Sequence, residues 1–153
     1  PRGATCGLQV LASLVVGIRS PPRNRAAARG PPGRWVLTGF KLDDQTLRKV
    51  FLTVFSDPTR QLSLAQCAGG LGLSGRTLQR RLAAAGAGFK DVVALARLEV
   101  AARNLVETAT PLVEVGFLAG YSDQAHFSRE FRRGAGMNPS SFRDLAGSSL
   151  ETP

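Results

Sequence analysis

The residues best equipped for chemistry lie in one run, Leu73 to Leu82, which reads LSGRTLQRRL. The Ser74 side chain can accept from a free backbone N–H, which suits the start of a helix. At about 100° per residue, Leu78 and Leu82 then fall roughly 40° apart on one face. Arg76 and Arg80 project from the opposite side, flanked by Thr77 and Gln79. One side is an apolar anchor and the other a row of long donors. Arg is shaped to pair with guanine edges in a DNA major groove, and Gln with adenine edges. An ordinary amphipathic helix with a solvated basic face shows the same pattern, so the choice between them lies in the elements around the run.

Other chemistries find little to build on. Cys6 and Cys67 sit in apolar surroundings with no companion at a metal-ligand spacing. Cys67, in LAQCAGGLGL, reads as a small buried hydrophobe, and a disulfide framework is not expected. His126 is the single histidine, so neither a His-rich metal site nor a Ser-His-Asp triad is easily assembled. It reads as a helix-surface or interface residue rather than a pH switch. The composition argues against an enzyme, and no cofactor or metal is expected. An attached DNA-modifying activity of the alkyl-transfer kind needs reactive cysteines, for which neither thiol has the setting.

The net charge is +9 over 153 residues, and its distribution matters more than its size. Residues 1–40 carry six Arg and no acid, leaving only +3 for residues 41–153. Such a balance permits binding to nucleic acid or to an anionic membrane and selects neither. The length suffices for one real core or two small ones side by side.

The chain begins at Pro1 rather than at a methionine. Residues 1–40 read as a poorly organised basic segment, the remnant of an upstream domain or a linker, with a phosphate-touching arm as the alternative. Its apolar run Leu8 to Ile18 is about half the length a membrane span needs, so no membrane partner is expected. Organisation begins near Lys41. Apolar residues at Leu47, Val50, Phe51, Val54 and Phe55 have helical spacing, with Asp43 and Asp44 at the start and Pro58 after the end. Ser63 suits the cap of a second helix, Leu64 to Leu71, and Gly72 the left-handed turn closing it. The opening run follows, completing a helix-turn-helix. Phe89 to Glu107 reads as one long helix of roughly 28 Å, ended by Pro111.

From Leu112 the pattern repeats. Leu112 matches Leu64, Gly120 matches Gly72 and Ser122 matches Ser74. The second copy is then one residue longer, after which Phe127 matches Leu78 and Phe131 matches Leu82. Arg129 falls opposite Arg80, Ser128 opposite Gln79, His126 opposite Thr77 and Ala125 opposite Arg76. Pro139 opens a short final helix carrying Phe142 and Arg143. The expected fold is all-α, with two helix-turn-helix units joined by a long linker helix within residues 41–146, and a disordered tail at residues 147–153. Two such units in one small domain favour nucleic acid over a merely soluble surface.

The block GYSDQAHFSREFRRGAGMNPSSFR (Gly120 to Arg143), with SGRTLQRRL and the RLEVA of the linker helix, resembles the signature of the AraC/XylS family of bacterial transcription regulators. The resemblance covers residues 42–146 and implies about seven helices, with both recognition helices entering successive major-groove segments of double-stranded DNA. Base-reading positions carried over from it are Arg76, Gln79 and Arg80 in the first unit, and Gln124, Ala125, Ser128 and Arg129 in the second. Thr77, Arg81, Lys90, Arg97, Arg132 and Arg143 are candidate phosphate contacts, although Arg97 equally suits packing across the linker helix. Arg129 has a phosphate contact, or an internal ion pair to Glu130 or Asp123, as rivals to base reading. A rod of about 28 Å suits two helices reading sites one DNA turn, about 34 Å, apart. A monomer then does what usually takes a dimer.

The resemblance further implies a contact with RNA polymerase and a cytoplasmic location. The expected function is sequence-specific DNA-binding transcription regulation, with nonspecific or architectural DNA binding as the alternative. Two departures from the family pattern, Asn104 in the linker helix and Gly116 in the fifth helix, bear on stability. Gly116 in place of alanine is expected to cost about 1 kcal/mol of helix propensity.

Overall fold

The computed structural model describes residues 44–150, which form seven helices and no strand. Helix α1 spans Gln45–Ser56, α2 Leu64–Gly70 and α3 Gly75–Ala84. The linker helix α4 spans Phe89–Glu107, followed by α5 at Leu112–Leu118, α6 at Gln124–Ala135 and α7 at Pro139–Leu150. The readings made for residues 1–40 lie outside the described residues.

Side chains that satisfy the free N–H groups of each first turn set most of the helix starts. Asp44 Oδ1 accepts from Thr46 and Leu47 N–H at 2.9 Å each, starting α1. Ser63 and Gln66 bond reciprocally at the head of α2, its Oγ accepting from Gln66 N–H and Gln66 Oε1 accepting from Ser63 N–H. Ser74 accepts from Thr77 N–H at the head of α3. In the second copy this task falls to Asp123, which accepts from His126 N–H at 2.6 Å, and not to Ser122. The residue inserted before α6 thus supplies its own cap.

Two apolar clusters form, one per unit. The first gathers Leu47, Val50, Cys67, Ala68, Leu78, Leu82, Ala85, Ala87 and Val92. The second gathers Leu98, Ala101, Ala102, Leu105, Val115, Ala119, Tyr121, Phe127, Phe131 and Phe142. The two share no residue, yet α4 feeds both, through Val92 at its start and through Leu98 to Leu105 further along. Cys67 is buried and free, as a small hydrophobe in the first cluster.

Two details depart from the expectations. Helix α7 continues to Leu150, so residues 147–150, assigned above to a disordered tail, extend the last helix instead. Gly116 is not merely a weak helix former: a Cβ there would stand 3.1 Å from the Phe127 ring, so its absence makes room for a fully buried aromatic side chain of the second core. Asn104 fits its place by donating from Nδ2 to Val100 O, one turn back, at 2.8 Å.

Candidate nucleic-acid interface

Helix α3 holds itself by one face and offers the other. Leu78 and Leu82 have no exposed surface, while Arg76, Gln79, Arg80 and Arg81 are exposed. Because α3 contains no acid, no residue of its own helix neutralises that row. Thr77 is half-buried, and its hydroxyl shares a hydrogen bond with Ser74 Oγ at 2.9 Å. It completes the cap, and its hydroxyl is engaged in that bond.

Helix α6 repeats the arrangement. Phe127 and Phe131 are buried against each other edge-on, with ring centroids 5.7 Å apart. Ala125, Arg129 and Arg132 are exposed and Ser128 is half-buried. Both acids that could pair with Arg129 are engaged elsewhere. Glu130 pairs with Arg133 at 3.3 Å, and Asp123 caps the helix. No ion pair among the described residues includes Arg129. Gln124 differs from its expected pose: the side chain is half-buried and its Oε1 is buried without a hydrogen-bond partner. Reading a base with it requires the amide to rotate outwards.

Lys90 is exposed on the first turn of α4, near the first unit. Two of the six phosphate candidates, Arg97 and Arg143, bond to groups inside the domain. Arg97 donates from Nη2 to Gln61 Oε1 at 3.1 Å, and its guanidinium lies 5.8 Å from the centre of the Tyr121 ring. Its Nε is buried with no partner, which costs on the order of 1–3 kcal/mol. Arg143 donates to two main-chain carbonyls, Leu105 near the end of α4 and Thr110 in the following loop. It ties α7 to the end of the linker helix.

The contact that sequence reasoning missed joins the two units. Gln61 Nε2 donates to Gly120 O at 3.3 Å, across 59 positions of chain. Gly120 has φ +86°, and a Cβ there would come within 2.0 Å of the Pro58 carbonyl oxygen. The repeat marks Gly120 as a turn glycine, but no local signal points to Pro58 or Gln61.

Burial beside this joint raises the Tyr121 hydroxyl to about pKa 12, with the Glu130 charge adding to the rise and Arg97 opposing it. Tyr121 is the single tyrosine of the chain, so phenolate absorbance reads it directly. Below pH 10 the hydroxyl is neutral folded or unfolded. Between pH 10 and about 12 only the unfolded chain ionises, and stability falls by about 2–3 kcal/mol. Tyr121→Phe removes that alkaline slope. A native-state phenolate midpoint near pH 10 would contradict the burial.

His126 is exposed and meets Tyr121 edge-on, ring centroids 5.4 Å apart. Among the described residues no helix is long and apolar enough to cross a membrane, and no three His, Cys, Asp or Glu side chains gather into a metal site.

A family described as "Helix-turn-helix domain" matches residues 67–144, from within α2 to the middle of α7. The HTH-type transcriptional regulator VirS of Mycobacterium tuberculosis is 33% identical over 147 residues, covering 94% of this chain and 42% of VirS. The ornithine utilization regulator of Pseudomonas aeruginosa is 31% identical over 109 residues, covering 71% of this chain and 32% of that protein. The chain thus spans less than half the length of these relatives. Among solved structures, a transcriptional regulator from Chromobacterium violaceum described as of AraC-type DNA-binding domain-containing proteins superposes with a TM-score of 0.64. It is 24% identical, covering 68% of this chain and 94% of that one, and shows the fold alone. With a family match over half of its length and two linked helix-turn-helix units, the chain belongs to the AraC-type helix-turn-helix family of transcription regulators.

Proposed function

We propose that this chain is the sequence-reading part of a transcription regulator, and that α3 and α6 enter two successive major-groove segments on one face of double-stranded DNA. One observation carries the reading: each helix buries a pair of large apolar residues and turns exposed arginines outwards, Arg76, Arg80 and Arg81 from α3 and Arg129 and Arg132 from α6. Arg76, Gln79 and Arg80 contact bases from α3. Ala125, Ser128 and Arg129 do so from α6, joined by Gln124 once its amide turns out. Ala125 offers only a methyl contact to thymine, so α3 carries more of the direct readout. Arg81, Lys90 and Arg132 hold phosphates, and Thr77 does so through its capping hydroxyl. The domain acts as a monomer on an asymmetric site, in the cytoplasm, with an outer surface meeting RNA polymerase.

The test compares the full chain on a site recovered by selection with a scrambled duplex of equal length. Preference for the recovered site by about a thousandfold or more supports specific reading, and equal binding favours an architectural protein. On the same duplexes, Arg80→Ala is expected to cost about 1–3 kcal/mol of binding and to relax preference at one base step. A uniform loss on every sequence would reassign Arg80 to a phosphate.

A further inference from the structure

Each unit has its own core, so the angle between the two reading helices depends on what crosses from one unit to the other. Along the domain the crossing is α4, and a helix of that length bends. A second crossing lies beside it. The Gln61 amide is engaged at both ends, donating to Gly120 O and accepting from Arg97 Nη2. Gln61 belongs to the loop between α1 and α2, Gly120 to the turn between α5 and α6, and Arg97 to the linker helix. The missing Cβ of Gly120 lets that turn close on the Pro58 carbonyl, and Arg97 lies over Tyr121 of the second core.

We propose that Gln61 and Arg97 are positioning residues that clasp the α5–α6 turn to the α1–α2 loop, hold α3 and α6 at one orientation, and so set the half-site spacing the domain accepts. The inference rests on the two-helix reading above. Arg97 keeps a buried, unpaired Nε–H, an expense that a lysine or methionine filling the same space would avoid. What the guanidinium adds is a flat fork that reaches Gln61 while lying on Tyr121. Adding one base pair between half-sites moves the second by about 3.4 Å and turns it by about 35°, a shift that a fixed joint rejects and a loose one follows.

Two readouts on the full chain test this, with Gln61→Ala and Arg97→Met. The first needs no DNA: residual dipolar couplings of the backbone amides in one alignment medium. In the wild type both units fit a single alignment tensor. In either variant each unit still fits internally, which shows it folded, but the two tensors differ in magnitude. The second readout is affinity for the recovered site, for that site with one base pair inserted, and for each half alone. Insertion weakens the wild type by about tenfold or more and the variants by about threefold or less, with half-site affinities unchanged. A single shared tensor in the variants overturns the clasp. Differing tensors with an unchanged insertion penalty overturn its role in spacing. A wild type without any sequence preference removes the two-helix reading instead, and the tensors alone then decide the clasp.

Discussion

Gly120→Ala is expected to cost about 3–5 kcal/mol of stability, far more than its single added methyl suggests. Two separate penalties meet at this position. The backbone has φ +86°, where a side chain costs about 1–2 kcal/mol. The added Cβ would also stand 2.0 Å from the Pro58 carbonyl oxygen and 2.8 Å from its carbon. Both are backbone atoms and cannot swing aside, so the α1–α2 loop must part from the turn and the Gln61 bond to Gly120 is lost with it. Gly72, its counterpart in the first unit, has φ +66° but open space where a Cβ would go. Gly72→Ala therefore carries the backbone penalty alone, about 1–2 kcal/mol. Thermal unfolding separates the two, because each kcal/mol moves the midpoint by roughly 4–8 °C in a domain near this size. Equal losses would deny the close approach to Pro58.

Phe127→Ala is expected to remove about 3–5 kcal/mol. The ring has no exposed surface and lies 5.5 Å from the Tyr121 ring and 5.7 Å from that of Phe131. It also fills the space left by Gly116, so its removal opens a cavity reaching the α5 backbone. Since the two cores share no residue, the damage falls unevenly. Native-state hydrogen exchange should show α5, α6 and α7 losing protection first, while α1, α2 and α3 hold theirs. Loss of protection throughout, at the same rate, would mean that the units unfold as one and that α4 couples them more tightly than the separate cores imply.

Much of this architecture is legible in the sequence because it is local. The bounds of the linker helix, Phe89–Glu107, follow from an apolar pattern that begins after Gly88 and stops before Pro111. Ser63 and Ser74 cap the helices their side chains suggest, and Gly72 takes the left-handed turn assigned to it. The outward rows of α3 and α6 follow from the same periodicity that buries Leu78, Leu82, Phe127 and Phe131. What stayed hidden depends on residues far apart in the chain. Ser122 and Asp123 are both capping types, and only the backbone path after the insertion chooses Asp123. Arg97 and Arg143 have long stems that reach water or protein equally well, and their partners stand 36 and 33 to 38 positions away. Gln124 shows the limit within a single helix, since its place in the first turn is readable and its inward-turned amide is not.

The account rests on two reading heads held at one separation, and selection of bound duplexes from a random DNA pool by the full chain tests it most directly. The expected result is a single asymmetric motif of two short elements, centred about one DNA turn, 10–10.5 base pairs, apart, with the stronger element lost on Arg80→Ala. A motif with one element, a palindrome, or no enriched sequence at all would contradict it.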